Sequence, residues 1–473
     1  MAARIPRRQP YWKSHAKGYA YVLFLCSAFS VMLIWGTKID DDVPQHLVTN
    51  PNPITRESLP SGLPSQATKA TTSDSTTYPF SPDDVVVMLK TSAATMWHRV
   101  PMHLSTSFAN QTLTPNLLIY SDTAASIGGR PVIDALANAS AALQASPDFE
   151  HRRALQQAAR DNLDLDATRD PAAAARLDKH KALPLAAHAA ANAAPRAAWF
   201  VYMPDDAFFF WPALHARLAR FDPDDPIALD ALGDGGGGAF AISRAAMRAS
   251  FRADPGLARR WEQLATERRG GGQVLATALA SKGVRVVSFP QGSAGETEAP
   301  PPARGLARLG VGERSWCEPL VGVGAVRQRD VAELDAWERG FREKHGAEVV
   351  RYKDVFAGFV GPYLVAERDE WDNFADEEHY SISGEPGGGA GLADAERRRR
   401  PWFSADACRS ACVGEERCLQ WRYADGDCYH GSAVKRGHRV KYEVRMRSGW
   451  MMEKIKKLAQ KECVRLPEGV LRG

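Results

Sequence analysis

Two adjacent carboxylates, Asp205 and Asp206, close an apolar stretch, Trp199–Met203, and three phenylalanines and a Trp-Pro follow them (WFVYMPDDAFFFWP, 199–212). Carboxylates at the end of a buried strand must be paired, solvated or metal-bound, because isolated buried charge is too costly. As hard oxygen ligands, the pair could hold Mg²⁺ or Mn²⁺ against a diphosphate. The plainer alternative is an Asp-Asp turn that caps the next helix. Two more polar pairs sit in equivalent places. Lys90-Thr91 follows the apolar run Val85–Leu89, and Ser121-Asp122 follows Leu117–Tyr120. Ligands of open α/β sheets bind outside the strand ends, so Lys90, Thr91, Asp122 and the aspartate pair are candidates for one site.

Other chemistry-bearing residues are less pointed. Gly235–Gly238 permits close backbone approach to a ligand, but no Gly-Lys-Ser/Thr follows, so it is not a phosphate-binding P-loop. A mobile surface loop explains Gly235–Gly238 equally well. Seven cysteines are present: Cys26 lies in an apolar N-terminal stretch, and Cys317, Cys408, Cys412, Cys418, Cys428 and Cys463 form an even set suited to disulfides. Zinc is the alternative, but paired Cys-x-x-Cys knuckles and a His pair are lacking.

The elements that position these residues follow from apolar runs. Trp199–Met203, Val85–Leu89 and Leu117–Tyr120 have strand length and strand composition. Helical character between the last two suggests a parallel α/β unit. Alanine-rich 134–200 favours helix. Pro226–Leu232 and Val284–Phe289 read as further strands, and Val274, Leu275, Ala278 and Leu279 as one face of a helix. Near the C-terminus Ser404 can cap a helix on which Cys408 and Cys412 share a face. Cys418–Tyr423 alternates as a strand, and Asp425-Gly426 signals a hairpin with Cys428 on the returning strand. So small a core calls for disulfide staples.

At 473 residues the chain has room for two or three domains. Its 60 Lys+Arg against 56 Asp+Glu argue neither for nor against nucleic acid, and no nucleic-acid partner is expected. Residues 1–17 are basic and 18–36 carry no charge, which is long enough for a membrane-spanning helix. The positive flank predicts a cytoplasmic tail, a signal anchor and a luminal remainder; a cleaved signal peptide is the competing reading. The Pro/Ser/Thr-rich residues 37–80 read as a stem. Sequons at Asn110 and Asn138 are compatible with a lumen. The folded part divides into 83–380, a linker at 385–400 and a small unit at 401–463. Glu367, Asp369, Glu370 and Asp372 read as a solvated acidic face or the wall of an acceptor groove.

The chain resembles fungal fringe-like glycosyltransferases, the branch of glycosyltransferase family 31 with an appended apple-like (PAN) module. The resemblance rests on VVVMLKTSAATMWHRVP (85–101), NLLIYSD (116–122), LDKHKALP (177–184), WFVYMPDDAFFFWP (199–212), AFAISRAAM (239–247), VLATALASKGV (274–284), WCEPLVGV (316–323), YKDVFAGFVGPYL (352–364) and AERDEWDN (366–373). CLQWRY (418–423) and SGWMMEKIKK (448–457) match its C-terminal part. It implies a GT-A-type domain over 83–380 and a disulfide-rich α+β apple-like module over 401–463. It also implies a single-pass type II Golgi membrane protein that transfers a sugar from a UDP-sugar to a glycan or glycoprotein. Mn²⁺ or Mg²⁺ on Asp206 and Asp205 would offset charge on the leaving UDP. Lys90, Thr91, Asp122 and Lys179 would lie beside the nucleotide sugar, and a protein or carbohydrate would engage the apple-like module. Of three connectivities open to the module's cysteines, one pairs Cys408 with Cys428 and Cys412 with Cys418, leaving Cys317 with Cys463.

The sequence departs from that family where chemistry is concentrated. The first acid of the acidic-x-Asp motif is Pro204, with Asp206 as the second. The acid near the usual base is Gly272, the metal-completing His pair is Gly324 and Ala325, and the His before the glycine turn is Gly235. Glycine and alanine offer no lone pair to a metal or proton, so no base is assigned. Two readings stand: a transferase with an altered site, or a catalytically degenerate relative that binds glycans or a partner protein. A purely structural membrane anchor is a weaker third.

Overall fold

A computed structural model describes residues 81–463 apart from 111–113, 115, 165–169, 194–195, 231–237, 268–269, 289–304, 347–348, 386–390 and 442–444. The cytoplasmic tail, signal anchor and stem expected at 1–17, 18–36 and 37–80 lie outside the described residues, as do Gly235 and two residues of the Asn110 sequon. No helix among the described residues is long and apolar enough to cross a membrane.

An α/β domain is built on a mixed eight-stranded sheet. Its strands in chain order are β1 (Val85–Lys90), β2 (Asn116–Ser121), β3 (Ala125–Ile127), β4 (Arg130–Asp134), β5 (Trp199–Pro204), β7 (Ile227–Asp230), β8 (Phe240–Ser243) and β9 (Arg285–Ser288), with β6 (Phe208–Phe209) outside the sheet. Their spatial order is β3-β4-β2-β1-β5-β8-β7-β9. The pairs β1–β2, β1–β5, β2–β4 and β7–β9 are parallel, while β8 runs antiparallel to both its neighbours.

The unbroken apolar runs arise because both faces of the central strands are covered. Val85, Val87 and Leu89 of β1 and Val201 and Met203 of β5 pack with Met96, Val100, Leu214 and Leu218, from the helices Met96–Ser105 and Trp211–Leu218. The alternate residues Val86, Met88, Phe200 and Tyr202 face Leu183, Leu185, Ala189, Val274, Leu275 and Ala278, from the helices Ala182–Asn192 and Gly271–Ala280.

A disulfide-rich C-terminal β region completes the molecule. Its five-stranded antiparallel sheet orders 367–369, 446–450, 420–424, 427–431 and 378–380 side by side. The first and last of these fall within 83–380, so the sheet reaches back across the 385–400 segment for both edge strands. Ser404 accepts a hydrogen bond from the Ala407 N–H (3.1 Å) and starts the helix Ala405–Gly414. Cys408 and Cys412 on its inner face are fully buried. Asp425 and Gly426 make the two-residue hairpin turn, both at positive φ (47° and 91°) between the paired residues Ala424 and Asp427. Disulfides join Cys408 to Cys428, Cys412 to Cys418, and Cys317 to Cys463. Glu367, Asp369, Glu370 and Asp372 each pair with an arginine of this region, Arg409, Arg447, Arg439 and Arg422 respectively, at 2.7–3.0 Å.

Candidate functional site at the strand ends

Three parallel strands deliver polar residues to one place. After β1, the Thr91 N–H donates to the Tyr120 carbonyl (2.7 Å), and after β5 the Asp205 N–H donates to the Lys90 carbonyl (2.8 Å). The sheet ladder thus runs on for one residue and holds Lys90, Thr91, Ser121-Asp122 and Asp205-Asp206 together.

The two aspartates have different environments. Asp205 is buried, and its carboxylate is fully engaged: Thr91 Oγ1 and Thr95 Oγ1 donate to Oδ2 at 2.6 and 2.7 Å, and Arg99 Nη1 donates to Oδ1 at 2.7 Å. Burial opposes its ionisation, but the Arg99 charge and the three hydrogen bonds outweigh burial and hold its pKa below the ordinary carboxylate value. His103, kept neutral by burial, donates from Nε2 to the Asp205 carbonyl (2.9 Å), which leaves Nδ1 to accept from Ser107 (3.1 Å). Asp206 has about a quarter of its side chain exposed (26%), and the Arg99 guanidinium stands 3.8 Å from its carboxylate. Burial, and then the charge of Asp205, push its pKa up, against the pull of Lys90 and Arg99.

Lys90, Asp178, Lys181 and Asp122 form a chain of ion pairs beneath them. Lys90 is bonded to Asp178, whose other oxygen lies 2.8 Å from Lys181 Nζ. The Lys181 ammonium is fully buried, donates to the Thr91 carbonyl (2.7 Å) and stands 3.5 Å from Asp122. Asp122 also accepts from the Ala93 N–H (2.6 Å) and from Ser121 Oγ (3.2 Å). Burial disfavours both lysine charges, but Asp178 overrides it, so both ammonium groups are held protonated.

Of the residues singled out in the sequence, Lys90, Thr91, Asp122, Asp205 and Asp206 therefore meet. Lys179 does not join them. Its ammonium pairs with Asp148 (3.0 Å) and donates to the Thr266 carbonyl (2.9 Å). From the same LDKHKALP phrase it is Asp178 and Lys181 that turn inward, and Arg99 and Thr95 come from the helix after β1. Gly272 is buried in the first turn of the helix Gly271–Ala280. A Cβ on its neighbour Gly271 would stand 3.2 Å from the Lys179 carbonyl and from Ala182, so this turn packs directly on backbone. Asn138 is exposed, and Ser140 of its sequon caps the short helix Ala141–Ala145.

The residues present fit a divalent cation poorly. Both oxygens of Asp205 are already satisfied, which leaves Asp206 as one carboxylate. Gly324 and Ala325 lie beside it, since the Val326 N–H donates to the Asp206 carbonyl (2.7 Å), and they bring no side-chain ligand atom. Among the described residues the clusters with metal-ligand spacing are all around His430, away from the strand ends: in two of them the cysteines are in disulfides, and the third joins His430 to Glu378 and Glu415. A cavity of about 1190 Å³ is also elsewhere. It lies between the α/β domain and the C-terminal region, with Leu218, Leu229 and Val321 on one side and Leu419, Lys454 and Leu458 on the other.

No protein-family model matches the chain, and no curated protein is significantly similar to it in sequence.

Proposed function

We propose that the protein is a glycosyltransferase that takes its sugar from a UDP-sugar and passes it to a glycan or glycoprotein, as a single-pass type II Golgi membrane protein with the α/β domain in the lumen. The observation that carries this reading is the convergence of Lys90, Thr91, Asp122, Asp205 and Asp206 at the ends of β1, β2 and β5. Strand ends of an α/β sheet are where such a donor binds, and the cluster is made from the phrases that resemble the fringe-like family. The reaction requires stabilisation of charge building on UDP and a base to take the acceptor's hydroxyl proton. Lys90 and Arg99 are cations of the cluster that suit the first task. Three disulfides agree with an oxidising, luminal compartment.

One observation favours a second reading, a catalytically degenerate protein that binds glycans or a partner. Asp205 is bonded as a structural residue, and Gly272 supplies no base. Calorimetric titration of UDP into the full-length protein, followed by a screen of UDP-sugars for release of UDP, separates the two. The transferase reading expects saturable UDP binding and turnover with at least one donor. UDP binding without turnover favours the degenerate reading, and absence of UDP binding overturns the donor site.

A further inference from the structure

The disagreement between the expected metal site and the residues present points to a replacement. We propose that Arg99 is the resident cation of this site and that its fixed charge, rather than a divalent metal, faces the donor's diphosphate. The inference rests on reading the strand ends as a UDP-sugar site.

The geometry supports it in three ways. First, the Arg99 guanidinium stands against both aspartates, 2.7 Å from Asp205 and 3.8 Å from Asp206, the two carboxylates that would hold a divalent cation. Second, it is held there. Thr91 and Thr95 fix the carboxylate that fixes Arg99, and His103 fixes the backbone of that same residue. A cation entering between the carboxylates would have to displace a charge-assisted hydrogen bond, among the stronger kind. Third, Arg99 is only partly covered, with 22% of its side chain exposed, and it uses Nη1 alone toward the described residues. Its planar fork keeps further N–H donors, the arrangement that suits paired phosphate oxygens. The lost ligands agree with this account: once a protein cation occupies the place, a histidine at 324 or 325 and an acid at 204 have no ion to bind.

The test has two arms on the full-length protein. The first uses Mn²⁺ alone, without nucleotide, followed by the paramagnetic resonance of free Mn²⁺. Wild type is expected to show no saturable site that Asp206→Asn removes. Arg99→Gln is expected to create such a site, because it frees two neighbouring carboxylates, and Arg99→Lys is expected not to. A wild-type Mn²⁺ site lost in Asp206→Asn overturns the proposal, as does an Arg99→Gln protein that folds and gains no site. If Arg99→Gln does not fold, wild type against Asp206→Asn still decides. The second arm titrates UDP in chelator and in Mn²⁺. Affinities equal within about twofold, with a loss of about tenfold or more in Arg99→Gln under chelator, support the proposal. An affinity that rises about tenfold with Mn²⁺ overturns it. No UDP binding at all overturns the donor site and with it this role of Arg99, and the Mn²⁺ arm tells that failure from a failure of Arg99 alone.

Discussion

Asp205 and Asp206 are neighbours with opposite physical roles, and that contrast can be measured. Asp205 sits inside a hydrogen-bonded charge pair, so removing it strands Arg99 in a largely buried place. Asp205→Ala is expected to cost about 3–5 kcal/mol in urea unfolding, whereas Asp206→Ala, which breaks no hydrogen bond of the described residues, should cost under about 1 kcal/mol. Their pH dependence also differs in sign. Asp205 has a depressed pKa, so its contribution is complete above the unfolded value and is lost as pH falls below about 4 through the folded one. Asp206 has a raised pKa, so its ionised form weakens the fold at neutral pH. Asp206→Asn should therefore raise Tm at pH 7, and the gain should shrink as pH falls through the raised pKa toward the ordinary carboxylate value. A gain of Tm in Asp206→Asn would say that the charge is retained for something other than stability. The aspartate pair was legible because it closes an apolar run. Arg99 was not, since an arginine within MWHRVP looks like any helix-surface cation until Asp205 is placed against it. Nor does a sequence say which lysine of LDKHKALP turns inward; the turn before the helix Ala182–Asn192 decides that.

At the scale of elements, legibility tracked burial. β1, β2 and β5 are readable because both of their faces are covered and every position is apolar. The edge strands 367–369 and 378–380 were not, because they carry Glu, Arg, Asp, His and Tyr, and polar contacts such as Arg447–Asp369 and His379–Asp427 accompany their pairing. The β3–β4 hairpin carries no apolar run of strand length, since Gly128-Gly129 and Arg130-Pro131 interrupt it, yet both glycines take positive φ and turn the chain. The Asp425-Gly426 hairpin and the Ser404 cap carry their signals locally, so both could be named in advance. Ser404→Ala should cost about 1 kcal/mol in thermal unfolding. Gly437 is more demanding. It has φ +74°, and a Cβ there would stand 2.6 Å from Trp371 Nε1 and 2.7 Å from Asn373 Cα. Gly437→Ala is expected to separate 438–439 from 371–372, read as lost amide protection in hydrogen exchange across those strands.

At the scale of the whole molecule, the C-terminal region is an internal support of the α/β domain. Phe208 and Phe210, two and four residues beyond Asp206, share one apolar cluster with Trp316, Val331, Trp450, Ile455 and Leu458. The loop carrying the candidate site therefore leans on the chain's last described helix, Met452–Ala459. That helix is held by the Cys317–Cys463 disulfide and by Trp316 Nε1, which donates to the Lys461 carbonyl (3.0 Å). Replacing both cysteines by serine should lower stability by about 2–4 kcal/mol and open Lys456, Lys457 and Lys461 to trypsin.

The same disulfide sets an order of events during synthesis. Cys463 leaves the ribosome 146 residues after Cys317. At ~5–20 residues per second the interval is roughly 7–30 s. Throughout it Cys317 is a thiol without its mate while Cys408, Cys412, Cys418 and Cys428 emerge one after another. The partners Cys412 and Cys418 are only 6 residues apart, and Cys408 and Cys428 only 20, so they can close locally before Cys463 appears. Closure of these two short loops would take four thiols out of competition, so the long bridge is expected to form last.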